Sequence, residues 1–201
     1  MRALTFALPS IIATLTAFSA ASAFAADELR PMNEGLAATS MASANKKWSF
    51  GVFIQGSGKQ SGVALDFQTP LAWNWLGARI AYASNEVSIP VSDHISLGEV
   101  IAGVKIQLNR DSSANIYEYI IENFNFYTPI IGETAGSRNG FETAFGAEWR
   151  HHYIAGENNE VDGAAYLEFG QSTSYLRTAA AVGGESIGDG FMARLGFRRF
   201  F

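Results

Sequence analysis

The residue types in this chain that could do chemistry are three histidines and a spaced series of acids and bases. His151 and His152 stand side by side in "HHYIAGENNEVDG", and His94 lies in "SDHIS" after Ser92 and Asp93. A histidine can act as a general base toward a hydroxyl nucleophile while a carboxylate orients its ring. His151, His152 and Glu148 are also a conceivable metal set. Adjacent residues of a strand point to opposite faces, however, so the two rings cannot easily share one ion, and no metal site is expected. There is no Cys, hence no thiolate nucleophile and no Cys-ligated metal. The glycines are dispersed, as in a tightly curved sheet, and form no phosphate-binding loop, so no cofactor is expected.

The acids and bases are more informative than the histidines. Asp66, Arg79, Glu99, Lys105, Glu118, Glu142, Glu148, Arg150, Asp162, Glu168, Arg194 and Arg198 recur opposite apolar residues in segments about ten residues long. Facing the inside of a narrow barrel, lone charges would be costly, so a network of paired charges plugging the lumen is expected. A narrow polar pore is the functional alternative, but eight strands leave little open width.

The elements that would position these residues are strands. "WSFGVFIQ" sets Trp48, Phe50, Val52 and Ile54 against Ser49, Gly51 and Gln55, with Phe53 out of pattern. "SGVALDFQ" sets Val63, Leu65 and Phe67 against Asp66 and Gln68, and "WNWLGARIAY" sets Leu76, Ala78, Ile80 and Tyr82 against Arg79. "LGEVIAGVKIQL" is the cleanest, with Val100, Ala102, Val104, Ile106 and Leu108 opposite Glu99, Lys105 and Gln107. "NIYEYIIENFNFY" sets Tyr117, Tyr119 and Ile121 against Glu118 and Glu122, then changes phase at Asn123, where a bulge is expected. "FETAFGAEWRHHYI" sets Phe141, Phe145, Ala147 and Trp149 against Glu142, Glu148, Arg150 and His152. "VDGAAYLEFG" sets Val161, Leu167 and Phe169 against Asp162, Tyr166 and Glu168. The ending sets Phe191, Ala193, Leu195, Phe197 and Phe201 against Arg194, Gly196 and Arg198. Arg199 falls on the apolar face near its end, where it can snorkel.

This predicts an all-β, antiparallel up-and-down transmembrane β-barrel of about eight strands over residues 48–201. Three of the four connections at one end are long ("SNEVSIPVSDHI", "TPIIGETAGSRNG", "STSYLRTAAAVGGESIGDG"), and only "GSGKQ" breaks that rule. Those at the other end are shorter, the asymmetry of bacterial barrels. Trp48, Trp73, Trp75, Trp149 and Phe201, with Phe200, are expected at the end that carries the termini, as membrane-interface anchors.

Composition agrees. Charged residues make up 16% of the 201 residues and aromatics 13%, with 20 Gly and a formal net charge of −5. Ordinary soluble proteins carry roughly 25% charge. The acidity argues against nucleic acid as a partner. Residues 1–25 read as a signal peptide: Arg2, an uncharged apolar stretch to Ala21, and Ala23-Phe24-Ala25 for cleavage. Residues 26–47 read as a flexible periplasmic leader, so export to the bacterial outer membrane is expected.

On this alternation, the loop asymmetry and the terminal Phe201, the chain resembles the small eight-stranded outer-membrane proteins of Gram-negative bacteria. The resemblance implies outer-membrane lipid and lipopolysaccharide as surroundings. It also implies recognition of "GFRRFF" and its Phe201 by the barrel-assembly machinery. The mixed-charge lumen and the loop asymmetry support a non-enzymatic, porin-like envelope barrel with a plugged lumen, structural or loop-presenting.

"HHYIAGENNEVDG" also resembles the lipid A 3-O-deacylase family, which uses His-x-Ser on one strand and Glu on the next. Setting that family's His on His151 puts Tyr153 at the Ser position, and setting it on His152 puts Ile154 there. The acid would fall near Ala164 or Ala165. His94 with Ser92 and Asp93 is similar in kind to the polar set of palmitoyl-transferring barrels. The last alternative is a soluble lipocalin-like binding barrel, in which the same alternation would be inverted.

Overall fold

In a computed structural model the chain is a closed barrel of eight antiparallel strands, each hydrogen-bonded to its neighbour in sequence. The structure describes residues 48–58, 60–71, 73, 75–88, 95–109, 115–154, 160–179 and 184–201, without the side chains of 152–154 and 160–162. The expected signal peptide and leader (1–47), His94, and the side chains of His152 and Asp162 lie outside the described residues.

The strands are β1 (Ser49–Ser57), β2 (Gln60–Pro70), β3 (Leu76–Val87), β4 (Ile95–Gln107), β5 (Ile116–Ile131), β6 (Thr134–Ile154), β7 (Glu160–Thr178) and β8 (Gly190–Phe200). Closure comes from β1 pairing with β8, from Ser49 opposite Phe200 to Ser57 opposite Met192. The two ends of the barrel meet at one rim, where Phe201 N–H donates to the Trp48 carbonyl at 3.0 Å and the two rings stack at 4.4 Å. Trp73 and Trp75 stack at 5.5 Å in the β2–β3 turn of the same rim, and Trp149 sits opposite Ile116 at the start of β5.

Alternation places one residue of each pair inside and the next outside. On β1, Ser49, Gly51 and Phe53 are buried while Phe50, Val52 and Ile54 are exposed. The same split runs round the barrel, so the large exposed side chains include Val63, Leu65, Ile80, Val100, Phe126 and Phe197.

Several expectations are corrected. On β5, Tyr117, Tyr119, Ile121, Asn123, Asn125 and Tyr127 are buried in unbroken alternation, so Glu118 and Glu122 belong to the outer face and Asn123 marks no bulge. The Glu122 carboxylate instead accepts a hydrogen bond from the exposed Thr143 hydroxyl at 2.7 Å. The irregularity lies where β4 meets the end of β5: Ser96 pairs with Ile131 but Leu97 with Pro129. Pro129 has no N–H to give the ladder, which suits it to an edge or a bulge.

Phe200 is buried against Ala164 rather than set in the outer girdle, because it shares the parity of Arg198. One of the expected long loops, 128–140, is largely strand, and that of 172–190 begins as strand. β5 and β6 extend until they are joined at 132–133, with Gly132 at φ +90°, and β7 runs on to Thr178. Strand pairing takes up part of the backbone of these stretches, with Tyr127, Thr128, Pro129 and Ile131 opposite β4 and Thr134, Ala135 and Gly136 opposite β7.

Candidate functional site

The interior of the barrel is the best-defined chemical environment in the molecule. Asp66, Glu99, Glu142, Glu148 and Glu168 are buried there with Arg79, Lys105, Arg150, Arg194 and Arg198. Five acids face five bases, so the described lumen carries no net formal charge and favours neither sign of ion.

The charges pair in two linked groups. Near the rim of the termini, Glu148 receives Lys105 at 2.8 Å, Arg150 at 2.6 Å and Arg198 at 3.2 Å. Arg198 also lies 3.4 Å from Asp66 and donates to the Gln68 side-chain oxygen. Asp66 in turn accepts Arg79 Nε at 2.9 Å. Higher in the barrel, Arg79 Nη1 donates to both oxygens of Glu168, at 3.0 and 2.8 Å, and Arg194 donates to Glu142 at 2.6 Å. Charge-assisted pairs of this kind offset part of the desolvation cost that makes an isolated buried charge unstable.

Aromatic rings complete the packing. Phe53, which broke the alternation of its segment, is the platform on which Arg79 and Arg194 rest, 4.8 and 5.2 Å from its centroid. Lys105 lies 4.0 Å over Tyr119, Arg150 3.9 Å over Tyr117, and Arg198 3.9 Å over Tyr166. These cation–π contacts explain why tyrosines stand in a charged lumen. The Tyr119 hydroxyl donates to Glu168 at 2.8 Å.

Glu99 is bonded differently. Among the described residues it makes no ion pair; its Oε2 accepts from Gln55 and Asn85, both at 2.7 Å, and from Gln60 at 3.1 Å. Above it the lumen turns apolar. Val87, Ile95, Leu97, Tyr127 and Leu176 converge on Ile187, which is brought in from the segment between β7 and β8. That segment is tied down by Ile187 N–H to the Leu176 carbonyl at 2.9 Å and by the Ser57 hydroxyl to the Gly188 carbonyl at 2.6 Å. Asp189 accepts from Ser186 at 2.6 Å and from the Ser174 N–H. It therefore ties this segment to β7. The turn needs a glycine at 188, where φ is +81° and a Cβ would meet Gln60 and Tyr127. Among the described residues, the lumen thus holds ion pairs below and an apolar cluster around Ile187 above.

Of the expected network, the structure brings together Glu99, Lys105, Glu142, Glu148, Arg150, Glu168, Arg194 and Arg198, with Asp66 and Arg79. Glu118 stands apart, on the outer face. Sequence reading set Gln55 and Tyr166 on the inner face without a partner for either, and missed Gln60, Asn85, Asn123, Tyr117 and Tyr119. Gln55, facing in beside Gly51, was the available signal.

Of the three histidines, His151 is the one whose side chain is described. His151 lies on the outer face beside Trp149, with ring centroids 5.8 Å apart, and its ladder partner is Gly163, not a hydroxyl residue. Among the described residues no group of three or more His, Cys, Asp or Glu is placed to hold a metal ion. Trp48, Trp73, Trp149 and Phe201 are exposed at the rim of the termini. No family model matches this chain, and no curated protein is significantly similar to it.

Proposed function

We propose that the chain is a non-enzymatic integral outer-membrane barrel whose polar lumen is plugged, serving the envelope structurally or presenting its loop end. In this reading residues 1–25 direct export, Phe201 is presented to the barrel-assembly machinery, and the surroundings are outer-membrane lipid and lipopolysaccharide. The observation that carries it is the polarity of the two faces. The inside holds ten buried charges, while Val52, Leu65, Ile80 and Phe197 stand exposed outside. A soluble binding barrel needs the reverse, an apolar interior and a polar exterior. An outward apolar band flanked by aromatic girdles is what a lipid-embedded barrel requires. The ion pairs in the lumen and the apolar cluster above them support a barrel that does not conduct.

Gel mobility of the detergent-refolded mature chain, with and without boiling, tests the location. A heat-dependent shift together with dependence on detergent is expected. Equal mobility and solubility in buffer alone would sink the reading. Planar-bilayer recording tests the plug, with no unitary conductance steps expected; regular steps would replace the plugged barrel with a narrow pore.

A further inference from the structure

Four residues from four adjacent strands lie in one row of the outer face: His151 on β6 opposite Gly163 on β7, Gly163 opposite Arg199 on β8, and Arg199 opposite Phe50 on β1. Neighbouring strands are about 4.8 Å apart, so His151 and Arg199 are anchored roughly 10 Å from each other. Gly163 has no side chain to fill the space between them. A notch of about 300 Å³ results, lined by His151, Arg199, Phe50, Val52 and Phe197 among others. A second, apolar groove of about 460 Å³ shares Val52 and Phe197 with the notch and continues past Ile54, Val63, Leu65 and Leu195. From Phe50 to Ile54 the strand rises roughly 13 Å. The combined depression therefore has a basic head at the rim and an apolar track leading into the belt.

Arg199 is exposed. Its guanidinium lies 5.0 Å from the Phe201 ring, and among the described residues it makes no ion pair. An arginine on the outer face, at the depth of Trp48, Trp149 and Phe201, gains most from an anion at that depth. A guanidinium fork matches phosphate oxygens, and an imidazole N–H can add a second donor from the far side of the notch. The apolar groove has no use for a free anion. Head and groove together fit a molecule that carries both.

We infer that this outer face holds one anionic phospholipid, its phosphate between Arg199 and His151 and an acyl chain in the groove over β8, β1 and β2. The inference rests on the membrane reading above and adds a defined ligand to it. A lipid without a phosphate would fill the groove but bring the guanidinium no counter-ion.

The test is native mass spectrometry of the mature chain refolded in neutral detergent and titrated with phosphatidylglycerol. Diacylglycerol of the same chains is the phosphate-free comparison, inorganic phosphate is the competitor, and Arg177→Gln, at the opposite end, is the control variant. One phosphatidylglycerol per barrel is expected, bound at least tenfold more weakly by the Arg199→Gln/His151→Gln double variant than by wild type or control. Diacylglycerol is expected to bind at least tenfold more weakly than phosphatidylglycerol, and inorganic phosphate is expected not to compete. Equal binding by the double variant, or of diacylglycerol, overturns the site, and so does displacement by inorganic phosphate. Every variant is also run with and without boiling. A retained heat shift with unaltered lipid binding removes the lipid site alone. Loss of the shift in wild type, with solubility in plain buffer, removes the membrane reading as well.

Discussion

Tyr119 covers Gly146, its partner across the β5–β6 ladder, so closely that a Cβ on the glycine would lie 2.3 Å from the ring carbon Cζ. Tyr166 and Gly196 repeat the arrangement across β7 and β8, at 2.5 Å. In both pairs the hydroxyl reaches a buried acid, Tyr119 to Glu168 at 2.8 Å and Tyr166 to Asp66 at 3.3 Å. The small residue on one strand makes room for the large one on the next, which sets how a tyrosine enters a lumen this narrow.

Gly146→Ala is therefore expected to destabilise the barrel by about 1–3 kcal/mol, the usual cost of overpacking. Gly56→Ala serves as the control, because its added Cβ would meet nothing nearer than 3.9 Å. Urea unfolding of the detergent-refolded protein compares the two. Equal midpoints would mean that Tyr119 swings aside freely.

Glu148 is the shared partner of three cations, so Glu148→Gln leaves Lys105, Arg150 and Arg198 crowded together without their common acid. A loss of about 3–5 kcal/mol is expected from such an uncompensated group of buried charges. Adding Lys105→Met to Glu148→Gln should recover part of that loss. A double variant no more stable than the single one would show that Glu148 acts mainly by packing.

The outer face yields two substitutions of opposite sign. Leu65→Arg, in the middle of the exposed side of β2, should cost about 2–4 kcal/mol in a lipid bilayer. Glu122→Leu removes an outward carboxylate from β5 and should raise stability in lipid, by less than that amount since acids on the lipid face cost less than bases. Unfolding in phospholipid vesicles measures both. A neutral Leu65→Arg would indicate that this face meets water.

Phe201 stacks on Trp48 where the first and last strands meet. Phe201→Ala should lower stability by about 1 kcal/mol, the scale of an aromatic pair beyond its buried area. If the terminal ring is also read during assembly, the amount reaching the outer membrane of cells should fall much further than refolding into micelles does. Equal losses in the two settings would confine Phe201 to packing.

How much of this was legible beforehand differs from strand to strand. On β4, apolar residues at Val100, Ala102 and Val104 oppose Glu99 and Lys105, and period-two alternation alone assigns the faces correctly. Most of the ion-pair partners were legible for the same reason: a charge opposite a run of Val, Leu and Phe has only one face to occupy. On β5 the same rule misassigned the first half. Both faces there carry groups that could be inside, and only the continuity of the strand carries the phase of Asn123 and Asn125 back to Tyr119. Phe53 looked like an exception because no sequence shows that two arginines from other strands will rest on its ring.

By itself, the sequence determined the all-β class, the number of strands and most of the charges that must find partners, because alternation and turn residues are local properties. The tertiary structure decided which acid meets which base, which glycine receives which tyrosine, and how Ile187 joins the apolar cluster inside the barrel. Those choices depend on the stagger of eight strands around a closed ring, and stagger is a relation between segments that no single segment encodes.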